Sequence, residues 1–248
     1  MTRTLGLLFL AACASTSTAS DGALAKQVVA SPDRSEKDRE RDAFRKPVEL
    51  LGFAGVAPGM HVADIGAGGG YTTELLARAV GPTGAVVAQD TPNWDGPGLQ
   101  KAWETRLAKP ALANTKHVMR QWEEPLPPEA TNLDVVTFIA AYHDVIVEKG
   151  DENKLNRAVF AALKPGGVYI VVDNSARAGR GKEDCEPLHR IDEEVVKDEV
   201  QRAGFKLAGE ASFMRNPSDT RDWNANPGND PRTHTQDLFV LKFVKPAS

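Results

Sequence analysis

Along the chain, apolar positions come in blocks whose period switches between that of a strand and that of a helix. Residues 61–65 form a short apolar run that stops at the glycine-rich stretch 66–70. Residues 71–80 then carry Leu75, Leu76 and Ala79 on one helical face. A second strand is predicted over 84–89, built on Ala85-Val86-Val87-Ala88, and a weaker third over 117–120. The runs at 133–140 and 168–172 are strongly apolar, and the helical pattern at 153–163 lies between them. Gly166-Gly167 after Lys164-Pro165 punctuates that helix. An amphipathic helix is predicted over 191–203, followed by late strands over 206–213 and 237–243.

Strands alternating with helices at this spacing predict a parallel sheet. The fold expected is α/β, a Rossmann-like, doubly wound, mostly parallel seven-stranded sheet with a terminal antiparallel hairpin. Its last two strands are joined by a polar segment, 216–235, long enough to be either functional or mobile. The densely charged stretch 31–46 reads as a solvated helix, and Pro47 opens a second short helix through residue 51.

The first residues read differently. Arg3 precedes the apolar run 5–13, which is far too short to span a bilayer. Leu10-Ala11-Ala12-Cys13 resembles a bacterial lipobox, in which the cysteine is lipidated and becomes the N-terminus. The alternative is a secretory signal cut near Ser20. Residues 14–30, rich in Ser, Thr and Ala, read as a flexible tether. The expected organisation is a signal and tether over 1–30 and one domain over 31–248. The expected location is outside the cytoplasm, either periplasmic or membrane-anchored.

Asp64-Ile65-Gly66-Ala67-Gly68-Gly69-Gly70 leaves a strand and enters a helix. Glycines there let a ligand approach the backbone, and the helix N-terminus offers free N–H groups. A dinucleotide fingerprint from Gly66 would need glycine at 71, where the chain has Tyr71. The spacing is instead G-x-G-x-G, with an acid two residues before it. This stretch resembles the first motif of class I S-adenosylmethionine (SAM)-dependent methyltransferases. The resemblance implies SAM as cofactor, with Asp64, Gly66, Gly68 and Gly70 ordering the loop around it. It also implies a ribose-binding acid at the end of the next strand, where Asp90 stands. An adenine contact after the third strand falls on Gln121-Trp122-Glu123. Trp122 either stacks on the base or covers a hydrophobic edge.

Further blocks are similar to a family of bacterial methyltransferases, often exported: Arg45-Lys46-Pro47, Phe53-Ala54-Gly55-Val56, Tyr142-His143-Asp144, Val171-Val172-Asp173, Leu188-His189-Arg190-Ile191-Asp192 and Arg215-Asn216-Pro217. Methyl transfer needs the nucleophile held at near-attack distance, and a base with pKa near 7 helps an oxygen or nitrogen acceptor. His143, Asp173 and His189 are the catalytic candidates: His143 follows one strand and Asp173 ends the next, at carboxyl ends that face the ligand crevice, and His189 sits just before the following helix, on a loop that can fold over the same edge. The expected arrangement has both histidines facing the acceptor and Asp173 orienting one of them. Asp192 reads as a helix N-terminal acid. Asp173-Asn174 resembles the metal-binding pair of catechol-type O-methyltransferases, but the position of the other acid there is Ala140. Asp144 would have to substitute for it, and no metal is expected.

Composition narrows the rest. The 248 residues are 41% hydrophobic and carry a formal charge of −4, with both signs interspersed. That gives no basic footprint for nucleic acid. Two cysteines, Cys13 and Cys185, exclude a disulfide framework. The expected partner is a small-molecule acceptor, with membrane contact only through a lipid at Cys13, and the sequence leaves the oligomeric state open. The competing reading is an envelope module that keeps the SAM fold without catalysis. An NAD-type oxidoreductase is disfavoured by Tyr71.

Overall fold

The structure is a computed structural model that describes residues 17–226, 228 and 230–247. Its elements are α1 (Ser17–Val29), α2 (Glu36–Glu40), α3 (Asp42–Arg45), α4 (Pro47–Ala54), β1 (His61–Ile65), α5 (Tyr71–Val80), β2 (Ala85–Asp90), α6 (Pro97–Leu107), β3 (Thr115–Met119), β4 (Leu133–Ile139), α7 (Tyr142–Val147), α8 (Glu152–Ala162), β5 (Leu163–Asn174), α9 (Cys185–Leu188), α10 (Glu193–Arg202), β6 (Lys206–Ala211) and β7 (Leu238–Val244). Cys13 and the lipobox lie outside the described residues.

One seven-stranded sheet has the order β3-β2-β1-β4-β5-β7-β6. β1, β2, β3, β4 and β5 pair in parallel, whereas β7 runs antiparallel to both β5 and β6. This is the Rossmann-like sheet with the terminal hairpin that the pattern predicts. Both faces are covered, so the central strands are apolar on both sides rather than alternating. Val62, Val86, Val135, Ile170 and Val172 pack on one side with Leu50, Leu75 and Leu76 of α4 and α5. Val136, Phe138, Tyr169 and Val171 pack on the other with Leu155, Val159, Val196 and Val200 of α8 and α10.

The strand order reverses between β1 and β4, and ligands in open α/β sheets bind beyond the carboxyl ends of strands at such a point. The chain leaves β1 through the glycine loop and leaves β4 through Ala140 and Ala141, so both segments meet there.

Three segments depart from the sequence reading. The tether forms α1 from Ser17, and its Ala25 and Val28 join the core with α4 and α5. Their spacing places them on one helical face, and burial there outweighs a Ser/Thr-rich composition. The charged stretch 31–46 forms two short helices, and while Asp33, Glu36, Lys37, Arg39 and Glu40 face solvent as expected, Arg34 and Asp38 are buried in ion pairs with Asp42 and Arg106. The segment 216–235 is tied down. Buried Arg190 bonds Asp219 and the carbonyl of Trp223, and its guanidinium lies 4.7 Å from the Trp223 ring.

Candidate cofactor and acceptor site

Gly66, Gly68 and Gly70 all adopt positive φ, at 60°, 54° and 73°. Two of them also lack room for a side chain. A Cβ at Gly66 would sit 2.8 Å from the Ala141 Cβ, and one at Gly70 would sit 2.7 Å from the Arg106 Cδ. The loop is stitched to its neighbours by its N–H groups. Gly66 donates to the Gln89 side chain, Ala67 to the Gln89 carbonyl, and Gly68 to Asp90 Oδ1 at 2.6 Å.

Asp64, at the end of β1, is buried and accepts from Thr73 Oγ1 at 2.6 Å and Thr137 Oγ1 at 2.7 Å. Burial pushes its carboxyl up to about 6, against the pull of the two hydroxyls, and the charge of Asp90 adds to the rise. A cavity of about 160 Å³ opens between the glycine loop and Ala140-Ala141, with Asp64, Arg41, Arg45 and Tyr71 in its walls. Sites that enclose a whole drug-sized ligand measure roughly 300–1,000 Å³, so this cavity accounts for one end of the cofactor.

Arg45 decides which end. Its Nε is buried without a hydrogen-bond partner. Burial, with nearby Arg41, pulls the guanidinium down to about 10, and Tyr71 and Asp64 offset only part of that. A buried guanidinium short of a partner calls for an anion. The α-carboxylate of SAM is such an anion, and the N-terminal turn of α5 stands beside it, with Tyr71 and Thr72 in the cavity wall. The residues present therefore fit the amino-acid end of the cofactor. Tyr71 ties α3 to this wall: its hydroxyl donates to Asp42, which Arg34 grips bidentately, and Arg41 lies 5.1 Å from its ring.

The ribose end is built differently from expectation. Asp90 stands at the end of β2 as predicted, but it is fully buried. Besides the Gly68 N–H, it accepts from Trp103 Nε1 and contacts His117 Nε2, each at 2.9 Å. A ribose hydroxyl could reach Asp90 only after Trp103, on α6, gives way. Trp122 is a core side chain rather than an exposed stacking platform. It is 2% exposed, donates from Nε1 to Glu148, and packs on Phe138 and Trp94 beneath Gly66. Of the two readings left open for Trp122, the structure shows the second.

On the β4–β5 side, the three catalytic candidates come together. Asp173 ends β5, and His143 lies in the first turn of α7. Asp173 accepts from the His143 backbone N–H, and its Oδ1 lies 2.8 Å from His143 Nδ1. His189 follows α9, and its ring centre is 5.3 Å from that of His143, at 89°. Asp144 Oδ1 sits between the two rings, 3.3 Å from His143 Nε2 and 3.6 Å from His189 Nδ1. Burial opposes protonation of His143, but the carboxylates of Asp173 and Asp144 outweigh it and hold the imidazole up at about 10. The same carboxylates hold His143 above the range near 7 that suits a general base. Asp192 caps α10, accepting from the Glu194 N–H, as its place before the helix predicts.

The sequence reading missed Arg41, Arg45, Thr73, Thr137 and Trp103, and it valued Asp144 only as a substitute ligand. The first two carried a signal, a pair of arginines four apart just before the Pro47 helix, but dense charge around them reads as solvated surface.

Comparison with known proteins agrees with this geometry. The family model described as protein-L-isoaspartate(D-aspartate) O-methyltransferase matches residues 44–121. The chain is 27% identical over 162 residues to the ubiquinone/menaquinone biosynthesis C-methyltransferase UbiE of Vibrio parahaemolyticus, covering 65% of this chain and 57% of that protein. The chain thus spans a little over half the length of that curated relative. Among solved structures, a SAM-dependent methyltransferase from Aquifex aeolicus superposes with a TM-score of 0.60 at 18% identity, covering 84% of this chain and 97% of that one. The [4+2]-cyclase SpnF superposes with a TM-score of 0.56 at 16% identity, covering 85% and 82%. A protein named as a cyclase shares the fold, so the fold by itself does not set the reaction. The matched segment 44–121 contains the glycine loop, Asp64 and Asp90, and with the sheet order it places the chain in the class I SAM-dependent methyltransferase superfamily, with S-adenosylmethionine as its cofactor.

Proposed function

We propose that this protein transfers the methyl group of SAM to a small-molecule acceptor held at the carboxyl ends of β4 and β5. One observation carries the reading: the cavity at the switch point joins the G-x-G-x-G loop to a half-buried arginine whose buried Nε lacks a partner. When bound, SAM supplies a methyl group activated by its sulfonium. Arg45 and Arg41 would hold the carboxylate end, and the first turn of α5 lines the same wall. Asp173 fixes the His143 ring, and His189 stands across from it, so the acceptor meets a preorganised polar wall rather than water.

Calorimetry with SAM, its demethylated product and NAD tests the cofactor half. Binding of the first two in preference to NAD is expected, and tighter NAD binding would end the reading. Acceptors from quinone biosynthesis are the first probes for turnover, because the curated relative is named for that chemistry. Methyl incorporation into a small molecule is expected, and incorporation only into protein would exclude the acceptor class. We also propose that Cys13 is lipidated. The Leu-Ala-Ala-Cys run supports this, and mass spectrometry of the mature N-terminus decides it. A free N-terminus near residue 20 would refute the anchor.

A further inference from the structure

We propose that His143, Asp144 and His189 form a two-histidine, one-carboxylate site for a divalent transition-metal ion of the zinc class. Their donor atoms all lie within 4.8 Å of one another. Zinc binds imidazole nitrogen and carboxylate oxygen at about 2.0–2.2 Å, so neighbouring donors in a tetrahedral shell stand roughly 3.3–3.6 Å apart. Asp144 Oδ1 stands 3.3 Å from His143 Nε2 and 3.6 Å from His189 Nδ1. Both distances from Asp144 match the spacing that one ion would impose, and the two histidine donors lie within 4.8 Å of each other.

The surroundings are those of a metal site as well. A ligating histidine usually gives its other ring nitrogen to a carboxylate or carbonyl, which fixes the tautomer. Asp173 does this for His143, at 2.8 Å from Nδ1, and leaves Nε2 to face the cluster. His189 Nε2 lies 3.3 Å from the Asn226 side-chain amide. With that amide turned so that its oxygen accepts from Nε2–H, the His189 Nδ1 lone pair points to the ion. His189 itself is in the left-handed region, at φ 50° and ψ 49°. Asn174 steadies it there by donating to the His189 carbonyl at 3.0 Å. The remaining amide atom, Asn174 Oδ1, is buried without a partner.

The pair Asp173-Asn174 thus supports the ligands instead of supplying them. Imidazole donors select zinc and its neighbours in the row over magnesium, which wants oxygen. Three protein donors leave coordination positions open for water or for an oxygen on the acceptor. That last role rests on the methyl transfer proposed above, whereas metal binding does not.

The test uses tag-free full-length protein stripped with chelator and titrated with ZnCl₂ in a calorimeter, with SAM binding measured on the same samples. One equivalent of Zn²⁺ per chain is expected, and no comparable uptake of Mg²⁺. His143→Ala and His189→Ala should abolish that equivalent while SAM affinity stays within about twofold. Asp173→Asn should weaken Zn²⁺ by about 10–100-fold, the effect of losing a partner of a metal-bound histidine. Equal Zn²⁺ uptake by wild type and His143→Ala would overturn the proposal. Nuclear magnetic resonance of the wild-type imidazoles needs no variant. Zn²⁺ should shift His143 and His189, and a response confined to the other three histidines, His61, His117 and His234, would also overturn it. Because the SAM titration is separate, loss of the cofactor reading and loss of the metal site give different results.

Discussion

Two strand ends in this protein carry the same pair of residue types, and they do different work. At the end of β2, Asp90 contacts His117 at 2.9 Å. At the end of β5, Asp173 contacts His143 at 2.8 Å. Around Asp90 the remaining partners are donors, the Trp103 indole and the Gly68 N–H, and the His117 ring is stacked on Trp103 with centres 4.0 Å apart. The carboxylate is close to saturated, and the assembly is a clasp between the glycine loop, β3 and α6. Around Asp173 the remaining partners are donors too, the His143 and Asn174 backbone N–H groups, and the difference lies on the far side of the imidazole, where His143 Nε2 meets Asp144 and the ring packs edge-on against His189. That assembly adds a second carboxylate and a second imidazole where the Asp90 clasp ends in an indole. The distance between an aspartate and a histidine says little about function. What meets the far face or edge of the imidazole, an indole ring for His117 and a carboxylate for His143, separates the two assemblies.

The comparison is sharpest when each side is broken in turn. The largest effect is expected on the β5 side. His143→Ala should slow turnover by roughly 10²–10³-fold, the scale of removing a preorganised polar group. SAM affinity should change by less than about twofold. Steady-state kinetics and calorimetry check both, and unaltered turnover would move the active site elsewhere.

Asp90→Ala should act mainly on stability. It strands the Trp103 indole N–H, His117 and the Gly68 N–H in a buried setting, for a loss of about 2–4 kcal/mol. Urea denaturation of the cofactor-free protein measures it. SAM affinity should also fall by about 1–3 kcal/mol. A stable variant with a full-sized activity loss would make Asp90 the reactive carboxylate and invert the comparison.

Arg45→Met should separate binding from folding. The buried guanidinium with its unpartnered Nε costs stability in the free protein, so the variant should melt higher, by about 1 kcal/mol of added stability. Its SAM dissociation constant should rise by about 10–100-fold through loss of a charged hydrogen bond. Scanning calorimetry with and without cofactor reads both signs.

The smallest effect belongs to Asp64. Its folded pKa is raised to about 6 from 3.8. A raised folded pKa gives stability that is fully present below the unfolded pKa and lost as pH rises through the folded one. Asp64→Asn escapes that loss. The variant should match wild type near pH 3.5 and exceed it by about 1–2 kcal/mol at pH 8. Urea midpoints across that range check it, and a stability difference independent of pH would refute it.

How much of this was legible follows from how local each signal is. The strands β1, β2 and β4 and the helices α5 and α8 follow from apolar runs read within one or two residues of their ends, because burial on both faces writes itself into the chain. α6 gives no such signal. Trp103 is its single buried residue, so its helix is held by one indole and by Arg106 bonding Gly69, Asp38 and Glu74. α1 is masked by its composition, since among its described side chains only Ala25 and Val28 are fully buried, with Leu24 and Val29 packed beside them.

The sequence by itself determined the switch-point sheet, the SAM loop and the strand-end positions of His143 and Asp173, because glycine spacing and strand ends are properties of neighbours in the chain. The tertiary structure alone decided that Arg45 is the buried cation of the cavity, that Asp90 is clasped by Trp103, and that Asp144 lies between two imidazoles. Each of those depends on residues far apart in sequence meeting in a low-dielectric interior, where an unpaired charge is costly and a neighbour's lone pair changes what a group can do. Residue type and spacing carry no record of such meetings until the chain has folded.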